Sequence, residues 1–203
     1  MEIIFCQFFD KEKREITTVD LVSTIIYEQN NKIPMKHKYI NSLGIGFDAY
    51  VGYLTNKSKY FPGIFACLLS VLRALVNLKN IEVTVNVNKQ KIYGEKLLLS
   101  LGNGIASGGV FYLNPIAVIN DGAIDLTIVD KVSVTQILTA LPFILFNKLK
   151  KIHEAKQYCA PEITVNLKTP YFVHLDGEII STKAKKIIVK SLPKAIKIIQ
   201  MKS

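Results

Sequence analysis

Tyr171-Phe-Val-His-Leu-Asp-Gly-Glu-Ile-Ile180 decides how the chain is read. Tyr171, Val173 and Leu175 fall on one side and Phe172 and His174 on the other, the period of a β-strand. Asp176-Gly177 then fits a type I′ hairpin turn, whose two central residues both need positive φ. Glu178 follows at once, so the hairpin tip presents two carboxylates, Asp176 and Glu178. Asp-Gly is also the commonest plain hairpin signal, and these residues alone leave a simple turn open.

Strand signals continue on both sides of the hairpin. Residues 162–167 alternate and lead through Thr169-Pro170 into it, and 187–189 and 195–199 supply the last strands. Ile81, Val83, Val85 and Val87 alternate with Glu82, Thr84 and Asn86; residues 88–91 turn the chain, and 96–101 return as a more fully buried strand. Two substantial helices are expected, near 61–79 and 133–151. The first starts at Pro62 and carries Ile64, Phe65, Leu68, Leu69, Leu72, Leu75 and Val76 at spacings of three and four, a core-facing stripe. The second opens on the capping box Ser133-Val-Thr-Gln136, kinks at Pro142 and ends in the cations of Asn147-Lys-Leu-Lys-Lys151. That helix either faces the core or rests its apolar face on a membrane surface. The spacing of Val19, Val22, Ile25 and Ile26 predicts a short amphipathic helix over 18–27, ended by Asn30-Asn31. The fold class is mainly β (α+β).

Composition bounds the function. At 203 residues, 49% apolar and 21% charged, the chain is ordinary globular protein. Lys and Arg number 26 against 16 Asp and Glu, a net +10 that favours nucleotide phosphates, an anionic membrane surface or nucleic acid, or else marks a solvated lysine face. Only Arg14 and Arg73 among the cations are arginines and there is no RNP-type aromatic motif, so nucleic acid ranks last and no nucleic-acid partner is expected. Cys6, Cys67 and Cys159 form no CxxC pair, which excludes a zinc knuckle and a disulfide framework and suits a reducing cytosol. The amino terminus has no basic region or small-residue cleavage site. The run from Ile137 to Phe146, broken by Thr139 and Pro142, is too short to span a bilayer. The expected location is cytoplasmic, at most peripheral at the membrane. No linker or repeat splits 39–200.

Glycine-rich loops supply the remaining motifs. Gly44-Ile-Gly-Phe-Asp48 puts two glycines before an acid, and Gly102-Asn-Gly-Ile-Ala-Ser-Gly-Gly109 holds four glycines in eight residues. Such loops allow close backbone approach. Neither GxGxxG nor GxxxxGK[ST] occurs. In Asn120-Asp-Gly-Ala-Ile-Asp125 a tight loop offers one carboxylate and free carbonyls, either a plain turn or a hard-cation site.

Taken together, Asn41-Ser-Leu-Gly-Ile-Gly-Phe-Asp-Ala49, Gly102-Asn-Gly with Gly108-Gly109, Asn120-Asp-Gly-Ala-Ile-Asp125 and Leu175-Asp-Gly-Glu178 resemble, in order and approximate spacing, the soluble diacylglycerol/lipid kinases, relatives of sphingosine and ceramide kinases. The resemblance runs from about residue 19 to 200 and covers the second of two lobes, a β-sandwich with inserted helices. It implies that 39–203 form that C-terminal domain and that 1–38 are a remnant of, or linker to, a nucleotide lobe bearing Gly-Gly-Asp-Gly-Thr, a motif this sequence lacks. A truncated gene, a split gene or a fragment would each give this pattern. By resemblance, Asp176 is the general base on a lipid hydroxyl and Glu178 helps hold the nucleotide's metal. Asp121, with the carbonyls of Val118 and Ala123, holds a structural Mg²⁺, while Gly44, Gly46, Asn103, Gly108 and Gly109 let backbone approach acceptor or phosphates. ATP is the expected cofactor once the other lobe is supplied, and the partners are a lipid substrate, an anionic membrane surface and a separate nucleotide-binding lobe. The competing reading is a non-catalytic lipid- or membrane-surface-binding module.

Overall fold

A computed structural model describes residues 14–57 and 64–201. Among them are nine strands and three α-helices. The strands are β1 (Arg14–Glu28), β2 (Met35–Tyr39), β3 (Ser42–Gly46), β4 (Ile81–Val87), β5 (Gln90–Gly102), β6 (Ile124–Asp130), β7 (Ala155–Ala160), β8 (Glu162–Leu175) and β9 (Glu178–Met201). The helices are α1 (Phe47–Lys57), α2 (Ile64–Val76) and α3 (Val134–Leu145). All named strand pairs are antiparallel, as the mainly β reading requires.

The sheet runs β2-β1-β9-β8-β3-β5-β6-β7, with β4 joining β5 to β8. β3 and β4 stand end to end in one column. β4 pairs with residues 90–96 of β5 and 163–167 of β8, while β3 pairs with 98–102 and 173–175. Inward residues such as Val22, Ile45, Val85, Leu99, Leu126, Val165 and Ile187 form the sandwich core. A second apolar cluster lies on the outer face of β5 and β6. There Leu97, Leu98 and Val129 meet Phe47 and Val51 of α1, Val71 and Leu75 of α2, and Ile137 of α3.

Several expectations need correcting. Residues 18–27 are strand, not helix. Asp20, Val22, Thr24 and Ile26 point inward with period two, and β1 pairs with β9 along most of its length. β1 and β2 are therefore built into the sheet, so residue 38 marks no break in it. Helix α1 was not anticipated, although Phe47, Val51 and Leu54 recur at helical spacing. In α2 the buried side is Ala66, Ser70, Val71, Ala74 and Leu75, whereas Phe65, Leu72 and Val76 of the expected core stripe face outward. Pro62 lies outside the described residues. The Ser133 capping box forms as read. α3 stops at Leu145, because Asn147 turns left-handed at φ 55° and the Lys148 N–H closes on the Phe143 carbonyl at 2.7 Å. Lys150 and Lys151 belong to the following 3₁₀ turn, Leu149–Lys151, and so do not cap the α3 dipole. No helix among the described residues is long and apolar enough to cross a membrane.

Candidate active site

The hairpin forms as the turn chemistry requires, with Asp176 at φ 48° and Gly177 at φ 90°. Its carboxylate does more than tolerate the turn. Asp176 Oδ1 accepts from the backbone N–H of Asn41 (3.0 Å) and Ser42 (2.8 Å), and Oδ2 from that of Ile40 (3.0 Å). A carboxylate offers about four acceptor positions. Three are filled by the N–H groups of residues 40–42, and the fourth, on Oδ2, has no partner among the described residues. The Glu178 side chain is exposed and makes no hydrogen bond among the described residues, while its backbone pairs with Leu175.

Beneath the hairpin lies a buried pair that sequence reasoning did not assign. His174 Nε2 is 2.9 Å from Asp48 Oδ2, and the Gly177 N–H points at His174 Nδ1 at 3.4 Å. In neutral His174 this arrangement suits the Nε2–H tautomer. Burial disfavours its charged form, but the Asp48 charge, the bond to Asp48 and the Asp176 charge together hold its pKa above the usual value. Asn56 Nδ2 donates to the Gly177 carbonyl at 3.1 Å, so both ends of α1 grip the hairpin.

The glycines of this region are explained largely by the chain itself. A Cβ on Gly44 would stand 2.2 Å from both Asp48 Oδ2 and His174 Nε2, and Gly46, at φ 89°, would press on the Leu97 carbonyl at 2.6 Å. Gly102 makes room for the Asn114 amide and Gly104 for Asn41. The close approach at Gly44 and Gly46 on the Cβ side is thus to the protein's own groups. Beside Gly109, at φ 76°, there is open space, and Gly108 has only Phe111 at 4.0 Å.

The four motifs converge through two residues. Asn41 donates its N–H to Asp176 and its Nδ2 to the Ala106 carbonyl, while its own carbonyl accepts from Asn103 and Gly104. Asp20 is wholly buried, and its Oδ2 accepts from Gly122 N–H (2.6 Å) and its Oδ1 from Lys194 N–H (2.6 Å). Its N–H reaches the Ile119 carbonyl and its carbonyl takes Asn103 Nδ2. Asn103 is buried, donates also to the Ile40 carbonyl, and leaves its Oδ1 without a partner among the described residues. Asp121 is exposed, and its Oδ1 accepts from Ala123 N–H at 3.0 Å, a local turn that leaves Oδ2 without a partner among the described residues. Val118 is half exposed. Burial and the Asp121 charge push the Asp125 carboxyl up to about 6.

An apolar cavity of about 80 Å³ opens beside this cluster. Its walls are Phe47 and Val51 of α1, Val71 of α2, Leu98 of β5 and the inner face of α3, with Asp48 among its few polar lining groups. Asp48 therefore touches the cavity and the hairpin's histidine at once.

Comparison with known proteins shows the family and the fold. Residues 41–200 match the YegS C-terminal NAD kinase beta sandwich-like domain family. The "Probable lipid kinase YegS-like" of Shewanella frigidimarina (strain NCIMB 400) is 31% identical over 168 residues, 79% of this chain and 52% of that protein. The structure of "A putative diacylglycerol kinase from Bacillus anthracis str. Sterne" superposes with TM-score 0.62 at 20% identity, over 93% of this chain and 58% of that one. Another from the same strain gives 0.60 at 19% identity, over 90% and 56%. At these identities the structures show a shared fold. The chain spans about half the length of the relatives it matches.

Proposed function

We propose that this chain, which belongs to the YegS C-terminal domain family, forms the acceptor-binding half of a lipid kinase that phosphorylates a diacylglycerol-like hydroxyl. The observation that carries the reading is Asp48, which lines the apolar cavity and bonds the histidine under the carboxylate hairpin. An acyl chain admitted by a widening of the cavity would leave its polar end at Asp48, beside the hairpin. Asp176 takes the hydroxyl proton on the open position of Oδ2, while three backbone amides fix the carboxylate's direction. Glu178, unengaged at the other end of the turn, is the residue that would help hold the nucleotide's metal. The phosphoryl donor, ATP, would be cradled by residues outside this sequence, since no recognisable phosphate-binding loop occurs within it. Gly108 and Gly109 are the loop glycines with space beside them for acceptor or phosphate.

The 118–123 loop fits a hard cation by its donor set. Asp121 keeps one oxygen without a partner among the described residues, and its charge adds to burial in raising the Asp125 carboxyl. The described residues contain no group of three or more His, Cys, Asp or Glu side chains, so the Val118 and Ala123 carbonyls must supply the other protein ligands. Mg²⁺ at a hundredfold excess over its Kd is then expected to stabilise the chain by about 2.7 kcal/mol. Thermal melts with and without Mg²⁺ check this. The wild type should shift and Asp121→Asn should not; a wild-type melt indifferent to Mg²⁺ ends the proposal.

The function is tested by turnover. The purified chain, given ATP, Mg²⁺ and detergent-dispersed diacylglycerol, should form no phosphorylated lipid. Fused to or co-expressed with a lobe bearing Gly-Gly-Asp-Gly-Thr, it should form it. Robust turnover by the chain alone would remove the need for a second lobe. Absence of product from a folded fusion would favour the second reading, a non-catalytic lipid-binding module. What favours that reading is the anchoring of Asp176 itself, whose carboxylate has a structural task in tying the hairpin to residues 40–42.

A further inference from the structure

The outer side of α3 is apolar where solvent should be. Phe146 is 72% exposed, Phe143 37% and Ile116, on the neighbouring loop, 44%. The 115–116 segment and the turn after α3 enclose a shallow groove of about 350 Å³, rimmed by Lys148, Lys150 and Lys151. None of these lysines forms a salt bridge with a carboxylate among the described residues. The left-handed Asn147 holds the arrangement: it ends the helix, so Phe146 and the lysines stand on one projecting corner instead of winding around a further turn.

We propose that this corner docks on an anionic lipid bilayer, with Phe143, Phe146 and Ile116 entering the interface and Lys148, Lys150 and Lys151 meeting headgroups. The cations are the discriminating feature. Lysine is depleted from the cores of protein–protein interfaces, which prefer Arg and Tyr. At a membrane its long apolar stem lies along the surface while the ammonium reaches phosphate. Exposed phenylalanine beside unpaired lysine, in a chain of net charge +10, therefore complements a negative bilayer better than a second protein.

The same helix roofs the cavity. Ile137, Leu141 and Ile144 line it from the inner face, and of α3's residues only Ile137 is fully buried. An engineered core cavity of about 150 Å³ admits benzene, so about 80 Å³ is too small for an acyl chain. α3 must move to admit one, and its outer-face anchor places that movement at the bilayer. This last link rests on the lipid-kinase reading; the docking does not.

Cosedimentation of the 203-residue chain with vesicles tests the proposal without nucleotide or turnover. Binding to phosphatidylglycerol-containing vesicles is expected, weakening with salt, with little binding to pure phosphatidylcholine. Lys148→Gln/Lys150→Gln/Lys151→Gln should lower the affinity about 10²-fold, since each lysine near an anionic surface contributes about a fivefold step. Phe146→Ser should lower it several-fold, and both variants should melt like the wild type. Equal binding to neutral vesicles overturns the proposal, as does full binding by the triple-Gln variant. So does a self-association, seen by light scattering, that these substitutions abolish, because the face would then join two copies. Lost docking alongside turnover of detergent-dispersed lipid by the lobe-supplemented protein would reject the docking alone. Intact docking without turnover would reject the kinase reading alone.

Discussion

Gly44→Ala is expected to destabilise the chain by about 1–3 kcal/mol, the usual cost of leaving a buried hydrogen-bonding group without its partner. Nothing in the backbone opposes alanine there, since Gly44 lies in β3 without a positive φ. The added methyl alone causes the loss. It would sit 2.2 Å from both Asp48 Oδ2 and His174 Nε2, two atoms that now bond at 2.9 Å. One of them must leave, and the His174 side chain, only 3% exposed, has no water to turn to. The partner left behind keeps its desolvation cost without its bond. Urea unfolding measures the loss. In a His174→Ala background the Asp48 carboxylate, still 2.2 Å from the methyl, can swing into the space the imidazole leaves, so Gly44→Ala should there cost under about 1 kcal/mol. The difference between the two costs is the coupling that a double-mutant cycle isolates. Additive costs, or a small cost in the wild type, would mean that Gly44 is a glycine for some other reason.

The elements that could be read from the sequence are those whose information is local. The Asp176-Gly177 turn, the alternation of β4 and the Ser133 capping box each rest on residues within a few positions of one another, and each is present. β1 was misread because two of its four inward residues in the sandwich, Asp20 and Thr24, are polar, which hides the strand period from hydropathy. Asp20 faces inward to receive the Gly122 and Lys194 N–H groups, partners that no local pattern announces. α2 and α3 are apolar nearly all round, so spacing could not tell the cavity side from the outer side. The site was legible in part. The carboxylate hairpin stood out, but Asp48 and His174 are 126 positions apart and meet only because β3 pairs with β8. The glycine between them at Gly44 was the available trace, a residue conspicuous for what it leaves room for.

Asp176→Asn, in a protein supplied with its nucleotide lobe, is expected to lower the rate per folded molecule by about 10²–10⁴, the usual loss of a general base. The sequence alone suggested that the fold would be untouched, since Asn tolerates positive φ and still precedes Gly177. The hydrogen bonds at the turn revise that expectation. Asn keeps one acceptor oxygen, which can serve the Asn41 and Ser42 N–H groups, but its NH₂ would face the Ile40 N–H that Oδ2 now accepts. A donor facing a donor costs about 1–3 kcal/mol, so a lower melting temperature should accompany the lower rate. Glu178→Gln separates the two effects. Glu178 anchors nothing among the described residues, so its replacement should leave the melting temperature alone and report only on the metal or the reaction. The rate must therefore be measured at equal folded concentration for all three proteins. If the Asp176→Asn deficit is accounted for wholly by its unfolded fraction, the carboxylate is an anchor for residues 40–42 and nothing more. If the folded variant works at the wild-type rate, the base is elsewhere and Glu178 is the next carboxylate to test. A folded Asp176→Asn protein that binds lipid but transfers no phosphoryl group is the outcome the geometry predicts: the oxygen that faces outward is the one asparagine cannot replace.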